Sequence, residues 1–244
     1  MIVKNRLLDL DLCIYQNEDW FKFSLDSVLL SQFVTLNLKI KKIIDLACGN
    51  APIPMFLTYR TSACIYGVEY QSEVFELGIR SVIENHLENQ IKLFHDDVRN
   101  LKSVFDSDSF DVVTCNPPYF KVNHNILVNN NDVKAKARHE IVLTLDDVLK
   151  SASYLLKNGG VFAMVHRTER MVEILDVFRK YSIEPKKIQF IYPKKGKNSD
   201  LFLIEGIKNG KPGIKMLSPL VIHNDDNSYT DEVQEILSFN SRGE

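Results

Sequence analysis

Short apolar runs alternate with amphipathic segments along the middle of this chain, from Lys41 onward. The runs predict buried strands, and the amphipathic segments predict helices between them. An alternation of this kind needs right-handed crossovers, which give a parallel sheet with helices on both faces. The predicted strands are Ile43–Ala47, Ala63–Glu69, Ile91–His95, Phe110–Cys115 and Gly160–His166, and the predicted helices are Ala51–Tyr59, Ser72–His86 and Thr144–Leu156.

The pattern changes towards both ends of the chain. Before the sheet, alternating apolar positions predict a hairpin over residues 8–23, and Ser24 is a residue type that caps a following helix. After the fifth strand, Lys187–Tyr192 and Leu201–Ile207 predict a closing hairpin whose last strand is antiparallel. An extended segment over Ile214–Ile222 and a short terminal helix complete the prediction.

These elements predict one α/β domain over residues 1–244. Its sheet is mostly parallel and seven-stranded with an antiparallel last strand, and helices cover both faces. We divide it into an N-terminal flank of one hairpin and one helix (1–40), a core (41–208) and a C-terminal extension (209–244). A chain of 244 residues with 45% hydrophobic residues can fill one sizeable core, which favours a single domain.

Charge and hydropathy exclude some functions. No apolar run approaches the ~18 residues of a membrane span, so we expect a cytoplasmic protein without membrane contact. The net charge of −2 argues against a nonspecific polyanion binder, yet cationic side chains concentrate between Arg179 and Lys197. Such a face can meet a phosphate backbone. An ordinary solvated face explains the same charge pattern equally well.

Polar residues and a glycine turn follow the predicted strands at their carboxyl ends. The turn Asp45–Ala51 would let backbone N–H groups approach a ligand, and Glu69 could accept two hydrogen bonds from a ribose. Dehydrogenases carry a similar glycine turn and a similar acidic residue, so the turn alone is weak evidence for any one cofactor. The chain lacks G-x-G-x-x-G, however, and Asp97 after the third strand could accept a hydrogen bond from an adenine amine. This set favours S-adenosylmethionine over a dinucleotide.

The fourth predicted strand is followed directly by Asn116-Pro117-Pro118-Tyr119. Two prolines fix a stiff turn, which places an amide and an aromatic ring where open α/β sheets bind ligands. Residues 117–143 then lack convincing periodicity, and a loop of that length in a compact domain is usually functional or mobile. The cationic side chains of residues 117–143 would lie beside the Asn116-Pro117-Pro118-Tyr119 turn.

With this motif added, the chain resembles class I S-adenosylmethionine-dependent methyltransferases that methylate an exocyclic or amide nitrogen. More closely, it is similar to the bacterial tRNA(Val) adenine N6-methyltransferase family. The similarity extends over nearly the whole chain. It rests on Phe23-Ser24-Leu25-Asp26, Asp45 to Pro54, Asn116 to Lys121, Ala137-Arg138-His139-Glu140 and the tail from Lys208 through Ser218-Pro219-Leu220 to Tyr229-Thr230.

The resemblance implies a Rossmann-like fold, S-adenosyl-L-methionine as cofactor, tRNA as partner and an adenine N6 amine in the anticodon loop as acceptor. An unpaired loop base costs little to extrude. The implied catalytic residues are Asn116, Pro117 and Tyr119. The implied cofactor residues are Asp45, Ala47, Gly49, Asn50, Glu69, Tyr70, Asp97, Val98 and Asn116, and the implied RNA-binding residues are Lys121, Lys134, Lys136, Arg138, His139 and Lys194. Among the cofactor residues, Asp45 is expected to support the glycine turn, Glu69 to bind the ribose hydroxyls and Asp97 to contact the cofactor's adenine.

One residue departs from the family pattern, and several alternatives stay open. Ala51 stands where such turns usually carry a second glycine, so a modest loss of cofactor affinity is expected. Glutamine N5-methylation of release factors, another nucleic-acid adenine N6-methylation and a catalytically silent cofactor-binding module are the alternatives. The six histidines and four cysteines show no ligand spacing, so no metal is expected.

Overall fold

The computed structural model describes residues 1–8, 10–18, 24–117 and 143–239. At the N-terminus, β1 (Ile2–Arg6) pairs antiparallel with β2 (Cys13–Asn17). The predicted hairpin over 8–23 is therefore wrong in position, because Leu7, Leu10 and Leu12 belong to the connection and are buried there without forming a strand. Residues 19–23, which that prediction also included, lie outside the described residues.

Helix α1 (Leu25–Phe33) follows Ser24, which occupies the N-cap position as predicted. The next elements are β3 (Lys42–Leu46), α2 (Pro52–Leu57), β4 (Cys64–Glu69), α3 (Ser72–Glu84), β5 (Ile91–His95), a 3-10 helix (Val98–Ser103) and β6 (Phe110–Cys115). After residue 142 come α4 (Leu145–Leu155), β7 (Leu156–Arg167), α5 (Met171–Lys180), β8 (Ile183–Lys194), β9 (Leu201–Lys208), β10 (Lys215–Met216), β11 (Leu220–His223) and α6 (Asp231–Ser238).

The core sheet has the strand order β8-β9-β7-β6-β3-β4-β5. Neighbours from β5 to β7 are parallel, and β9 is antiparallel to both β7 and β8. The predicted seven-stranded, mostly parallel sheet with an antiparallel last strand is therefore confirmed. Two short strands of the C-terminal extension, β10 and β11, also pair with β8 and bring the sheet to nine strands among the described residues. They cover an edge that would otherwise expose unpaired backbone groups.

Apolar clusters pack helices against both faces of the sheet. One cluster joins α1, α2 and α6 to β3 and β7 through residues such as Leu29, Phe56 and Val233. The other joins α4 and α5 to the opposite face through residues such as Leu149 and Phe178. Helix α5 was not predicted from the sequence, although Met171, Ile174, Leu175 and Phe178 recur at helical spacing and pack against the second cluster.

The carboxyl end of α1 is held by charged side chains from distant parts of the chain. Lys187 Nζ donates to Phe33 O (2.7 Å) and lies 3.2 Å from a carboxylate oxygen of Glu205, while Arg60 donates to the backbone oxygens of Ser31 and Val34. Cations at a helix carboxyl end complement its dipole and its unpaired carbonyls. Glu205 is 5% exposed and also accepts from the backbone N–H (2.7 Å) and hydroxyl (2.8 Å) of Thr35. We call this set the α1 clamp: Arg60, Lys187, Glu205 and Thr35.

Candidate active site

The five parallel strands β3 to β7 end at one edge of the sheet, and the strand order reverses between β3 and β6. From β3 the chain moves outward through β4 and β5, and it then returns to place β6 on the other side of β3. Leu46 and Cys115 are register partners in this β3–β6 pair. The residues that follow them, Ala47 and Asn116, therefore leave the sheet side by side, at the crevice where open α/β sheets bind ligands.

The turn after β3 is tightly curled. Ala47, Gly49 and Ala51 all have left-handed backbone conformations, with φ of 54°, 59° and 70°. A Cβ built on Gly49 would meet no atom within 4 Å among the described residues, so the front of the turn is open. Ala51 is fully buried in the apolar core. A residue with a Cβ is disfavoured in a left-handed conformation, so alanine in place of glycine costs conformational energy in this turn. The predicted effect on cofactor affinity stays a prediction.

Glu69, at the end of β4, connects the turn to the neighbouring strand. One carboxylate oxygen accepts the backbone N–H of Gly49 (2.9 Å) and the other accepts that of Gln71 (2.8 Å). Burial raises the pKa of Glu69, and these backbone N–H groups oppose the rise because they favour the charged form. Glu69 thus holds the turn in shape, which is a role the sequence analysis had assigned to Asp45.

Asp45 is 1% exposed and accepts the Thr114 hydroxyl at 2.7 Å, which ties β3 to β6. Burial and the nearby Glu69 carboxylate raise the pKa of Asp45 to about 8. Its second oxygen is buried and has no hydrogen-bond partner within the described ranges. The expectation that Asp45 supports the glycine turn is therefore not matched by its contacts, which join two strands beneath it.

The other predicted cofactor residues lie around the same edge. Asp97 follows β5 and is paired with Arg99, whose guanidinium holds the pKa of the Asp97 carboxyl below its ordinary value. Val98 is buried at the start of the 3-10 helix, and Tyr70 is 44% exposed after β4. Asn50 differs from the others, because its side-chain amide donates to Tyr15 O (2.8 Å) and so anchors the N-terminal hairpin.

Asn116 follows β6 immediately and is half-buried, and Pro117 is buried. The Asn116 amide nitrogen donates to the Ser27 hydroxyl of α1 at 3.3 Å. Helix α1 therefore reaches the same crevice as the turn after β3. Several predicted site residues lie outside the described residues, namely Tyr119, Lys121, Lys134, Lys136, Arg138 and His139.

The sequence of the core settles the family. A family model described as a methyltransferase domain matches residues 38–203, which span β3 to β8 and part of β9. The chain belongs to this methyltransferase domain family. The curled turn and Asn116 occupy the two sides of the crevice between β3 and β6.

Curated relatives of this methyltransferase extend over nearly its whole length. One from Flavobacterium psychrophilum is 23% identical over 90% of this chain and 92% of the relative, and one from Shewanella woodyi is 24% identical over 88% and 90%. Both are named tRNA1(Val) (adenine(37)-N6)-methyltransferase.

Solved structures support the fold of the methyltransferase. A predicted O-methyltransferase from Agrobacterium tumefaciens superposes with a TM-score of 0.72 at 20% identity, over 89% of this chain and 98% of that one. Geranyl diphosphate C-methyltransferase from Streptomyces coelicolor, solved with S-adenosyl-L-homocysteine, gives 0.57 at 12% identity over 75% and 76%. At these identities the likeness concerns the fold alone.

Two negative findings apply to the described part of the methyltransferase. None of its described residues form a group of three or more His, Cys, Asp or Glu side chains that could hold a metal ion. Within the same residues, every helix is too short or too polar to cross a membrane.

Three polar residues at the site were missed by the sequence analysis. Thr114 binds Asp45, Arg99 pairs with Asp97 and Ser27 binds Asn116. Arg99 had a local signal, because a cation two residues after a strand-end carboxylate can fold back onto it. Ser27 is 89 positions from its partner and had no such signal.

Proposed function

We propose that this methyltransferase transfers a methyl group from S-adenosylmethionine to the N6 amine of an adenine in the anticodon loop of tRNA(Val). The observation that carries the proposal is the register of β3 and β6, which sets Asn116 beside the curled turn at the switch point. The relatives support the acceptor, because their names specify adenine 37 of tRNA1(Val).

The open crevice fits the proposed cofactor. The space in front of Gly49 leaves room for a ligand against the backbone of the turn, and the Glu69 carboxylate lies behind it. Glu69 retains lone pairs for ribose hydroxyls, since a carboxylate can accept about four hydrogen bonds. Asp97, kept ionised by Arg99, can accept a hydrogen bond from the cofactor's adenine amine. Bound there, S-adenosylmethionine would supply an activated methyl group carried on a sulfonium.

Asn116 and Pro117 would prepare the acceptor amine. The lone pair of an adenine N6 is delocalised into the ring, so the amine is a poor nucleophile until its hydrogens are held out of that conjugation. The Asn116 side-chain oxygen and the Pro117 backbone carbonyl can each accept one of these N–H groups. Tyr119, which lies outside the described residues, is proposed to stack on the extruded base, a contact worth about 1–3 kcal/mol.

An in vitro methylation assay tests the function. We expect the purified protein and S-adenosylmethionine to produce N6-methyladenosine in a tRNA(Val) transcript, as seen by mass spectrometry of its nucleosides. A transcript with guanine in place of adenine 37, the position in the relatives' names, is the matched control and should gain none. Methylation of a release-factor glutamine or of DNA adenine, without methylation of the tRNA, would replace this proposal with the corresponding alternative.

We propose that RNA approaches along the carboxyl end of β8. This strand has the same direction as β7, because β9 is antiparallel to both, so Lys194 lies at the same sheet edge as Asn116. Lys194 and Lys197 line a shallow cavity of about 360 Å³ together with Pro193, Asn198, Asp200 and His223. An RNA backbone on this rim would meet cations on its way to the crevice.

Replacing Lys194 and Lys197 with glutamine is expected to weaken tRNA binding. Each lost phosphate contact should reduce the slope of log affinity against log salt by about 0.7–0.9. The measurement is a tRNA titration at several salt concentrations. The control is Lys186→Gln with Lys211→Gln, which removes the same charge from the amino end of β8, roughly 26 Å away along the strand. Equal losses from both pairs would contradict a defined RNA path along this rim.

A further inference from the structure

The cavity at the carboxyl end of β8 is lined by an aromatic ring as well as by cations. The cations are Lys194 and Lys197, and the ring is that of His223, the last residue of β11. His223 is the register partner of Lys194 in the β8–β11 pair, so the two lie side by side. The volume of about 360 Å³ falls within the ~300–1,000 Å³ of small-ligand pockets. The cavity can therefore take a group that has both a negative charge and a flat face.

The His223 ring is held in place by two contacts. The Tyr229 ring stacks on it, with 5.2 Å between the ring centroids and 22° between the ring planes. The imidazole Nδ1 donates to Pro193 O at 3.3 Å, which fixes the rotation of the ring. Because Tyr229 occupies one face of the imidazole, a ligand can meet only its other face and its edge. Tyr229 is 39% exposed, so this aromatic pair stands at the protein surface.

Backbone hydrogen bonds fix the walls of the cavity. Thr168 N donates to Asp200 O (3.0 Å), which ties the segment before β9 to the end of β7. In the C-terminal extension, Thr230 N donates to Ile222 O (3.1 Å), which closes the turn that carries the stacked pair. A preformed site loses less conformational entropy when its ligand binds.

The charges around the cavity favour a nucleotide over a free anion. Asp200 lines the cavity together with the two lysines, and Lys194 Nζ already donates to the backbone oxygen of Asp225 (3.0 Å). A free anion would be attracted by the lysines and repelled by the Asp200 carboxylate. A nucleotide of single-stranded RNA gains, in addition, from stacking of its base on an aromatic side chain, and this gain does not depend on charge.

We propose that this cavity binds one unpaired nucleotide of the tRNA, with its phosphate at Lys194 and Lys197 and its base stacked on His223. The proposal rests on the proposed methylation of tRNA and on the RNA path along β8, to which it adds a base contact. Strand β8 is three places from β6 in the sheet, or about 14 Å at ~4.8 Å per strand. The base held here is therefore a different one from the adenine at Asn116.

The test on the protein compares two histidines that stack on aromatic rings. His223→Ala should weaken tRNA(Val) binding at least about fivefold and leave the slope of log affinity against log salt unchanged, because it removes a stacking surface and no phosphate contact. His223→Phe should keep most of the affinity, since phenylalanine retains an aromatic face. His95→Ala is the matched control and should leave binding unchanged. His95 also stacks on a ring, that of Phe75 (5.4 Å), but it lies six strands from β8. The measurement is a tRNA titration at several salt concentrations.

The test on the RNA identifies the nucleotide. Each anticodon-loop nucleotide other than the target adenine is replaced in turn by an abasic one, and each RNA is titrated with the wild type and with His223→Ala. We expect one position at which the loss of the base weakens wild-type binding at least about fivefold and has no further effect in the variant. The reason is that one stacking contact can be lost only once.

Three results would overturn the proposal: unchanged affinity in His223→Ala, equal losses for His223→Ala and either His223→Phe or His95→Ala, and additive effects at every abasic position. If His223→Ala unfolds at the assay temperature, His223→Leu keeps an apolar side chain without a ring and should show the same loss. A wild-type protein that binds tRNA(Val) without methylating it would contradict the proposed function, whereas wild-type methylation with unchanged binding in His223→Ala would contradict the nucleotide site alone.

Discussion

Replacing Asn116 with alanine is expected to lower kcat for methyl transfer at least about a hundredfold, a typical effect of removing one preorganised hydrogen-bonding group from an active site. The variant loses the side-chain oxygen that accepts an acceptor N–H, while the turn after β3 and Glu69 stay in place. We therefore expect S-adenosylmethionine affinity to remain within about tenfold of the wild-type value, because only one side-chain contact is removed.

Two measurements check this division of roles. Single-turnover methylation reports the chemical step, and calorimetric titration reports cofactor binding. Asn158→Ala is a suitable control, since Asn158 is an exposed asparagine in the early part of β7, at the opposite edge of the sheet. A loss of cofactor binding as large as the loss of activity would assign Asn116 to the cofactor site and leave the acceptor amine without its proposed partner.

Glu205→Ala is expected to lower the free energy of unfolding by about 3–5 kcal/mol, the usual result of removing one member of a buried ion pair. The substitution leaves the Lys187 ammonium, whose side chain is 19% exposed, without its carboxylate. It also removes the acceptor for the Thr35 backbone N–H. Chemical denaturation at neutral pH gives the change directly.

The pH dependence of the Glu205→Ala variant provides a second check. Burial already lowers the pKa of Lys187 in the wild type, and Glu205 opposes that fall. Without Glu205 the folded state binds the Lys187 proton less tightly than the unfolded state, so the variant should regain stability as pH rises towards the ordinary lysine range. The control is Glu84→Ala, which removes an exposed ion pair with Lys4 and should change stability little at any pH.

The central strands of the sheet could be predicted from the sequence because they are buried on both faces. Such strands appear as continuous apolar runs, and Phe110–Cys115 was predicted to the residue. The edge strand Ile91–His95 was also predicted to the residue, although only Ile91 is buried there. The N-terminal hairpin was misplaced for the opposite reason. Strand β1 alternates between exposed and half-buried positions and carries no fully buried residue, whereas the buried leucines lie in the connection after it.

The site could be predicted in part because parallel strands end at a common edge. That rule brought Gly49, Glu69 and Asn116 together from their positions in sequence alone. It could not assign partners within the site. Glu69, not Asp45, supports the turn, because backbone curvature after β3 brings Gly49 N–H to the neighbouring strand. The contact between Ser27 and Asn116 depends on how α1 packs across the sheet, and the periodicity of the sequence does not predict that packing.

The α1 clamp has a consequence for synthesis of the chain. Chains emerge from the ribosome amino end first, and helix α1 is made early, yet Lys187 follows Phe33 by 154 positions and Glu205 follows Thr35 by 170 positions. Until those two strands have been translated, the helix that contacts Asn116 is held at its carboxyl end by Arg60 but lacks the contacts of Lys187 and Glu205. A chain that ends before β8 and β9 can therefore contain every residue of the cofactor turn and still lack the full set of contacts that hold α1 beside Asn116.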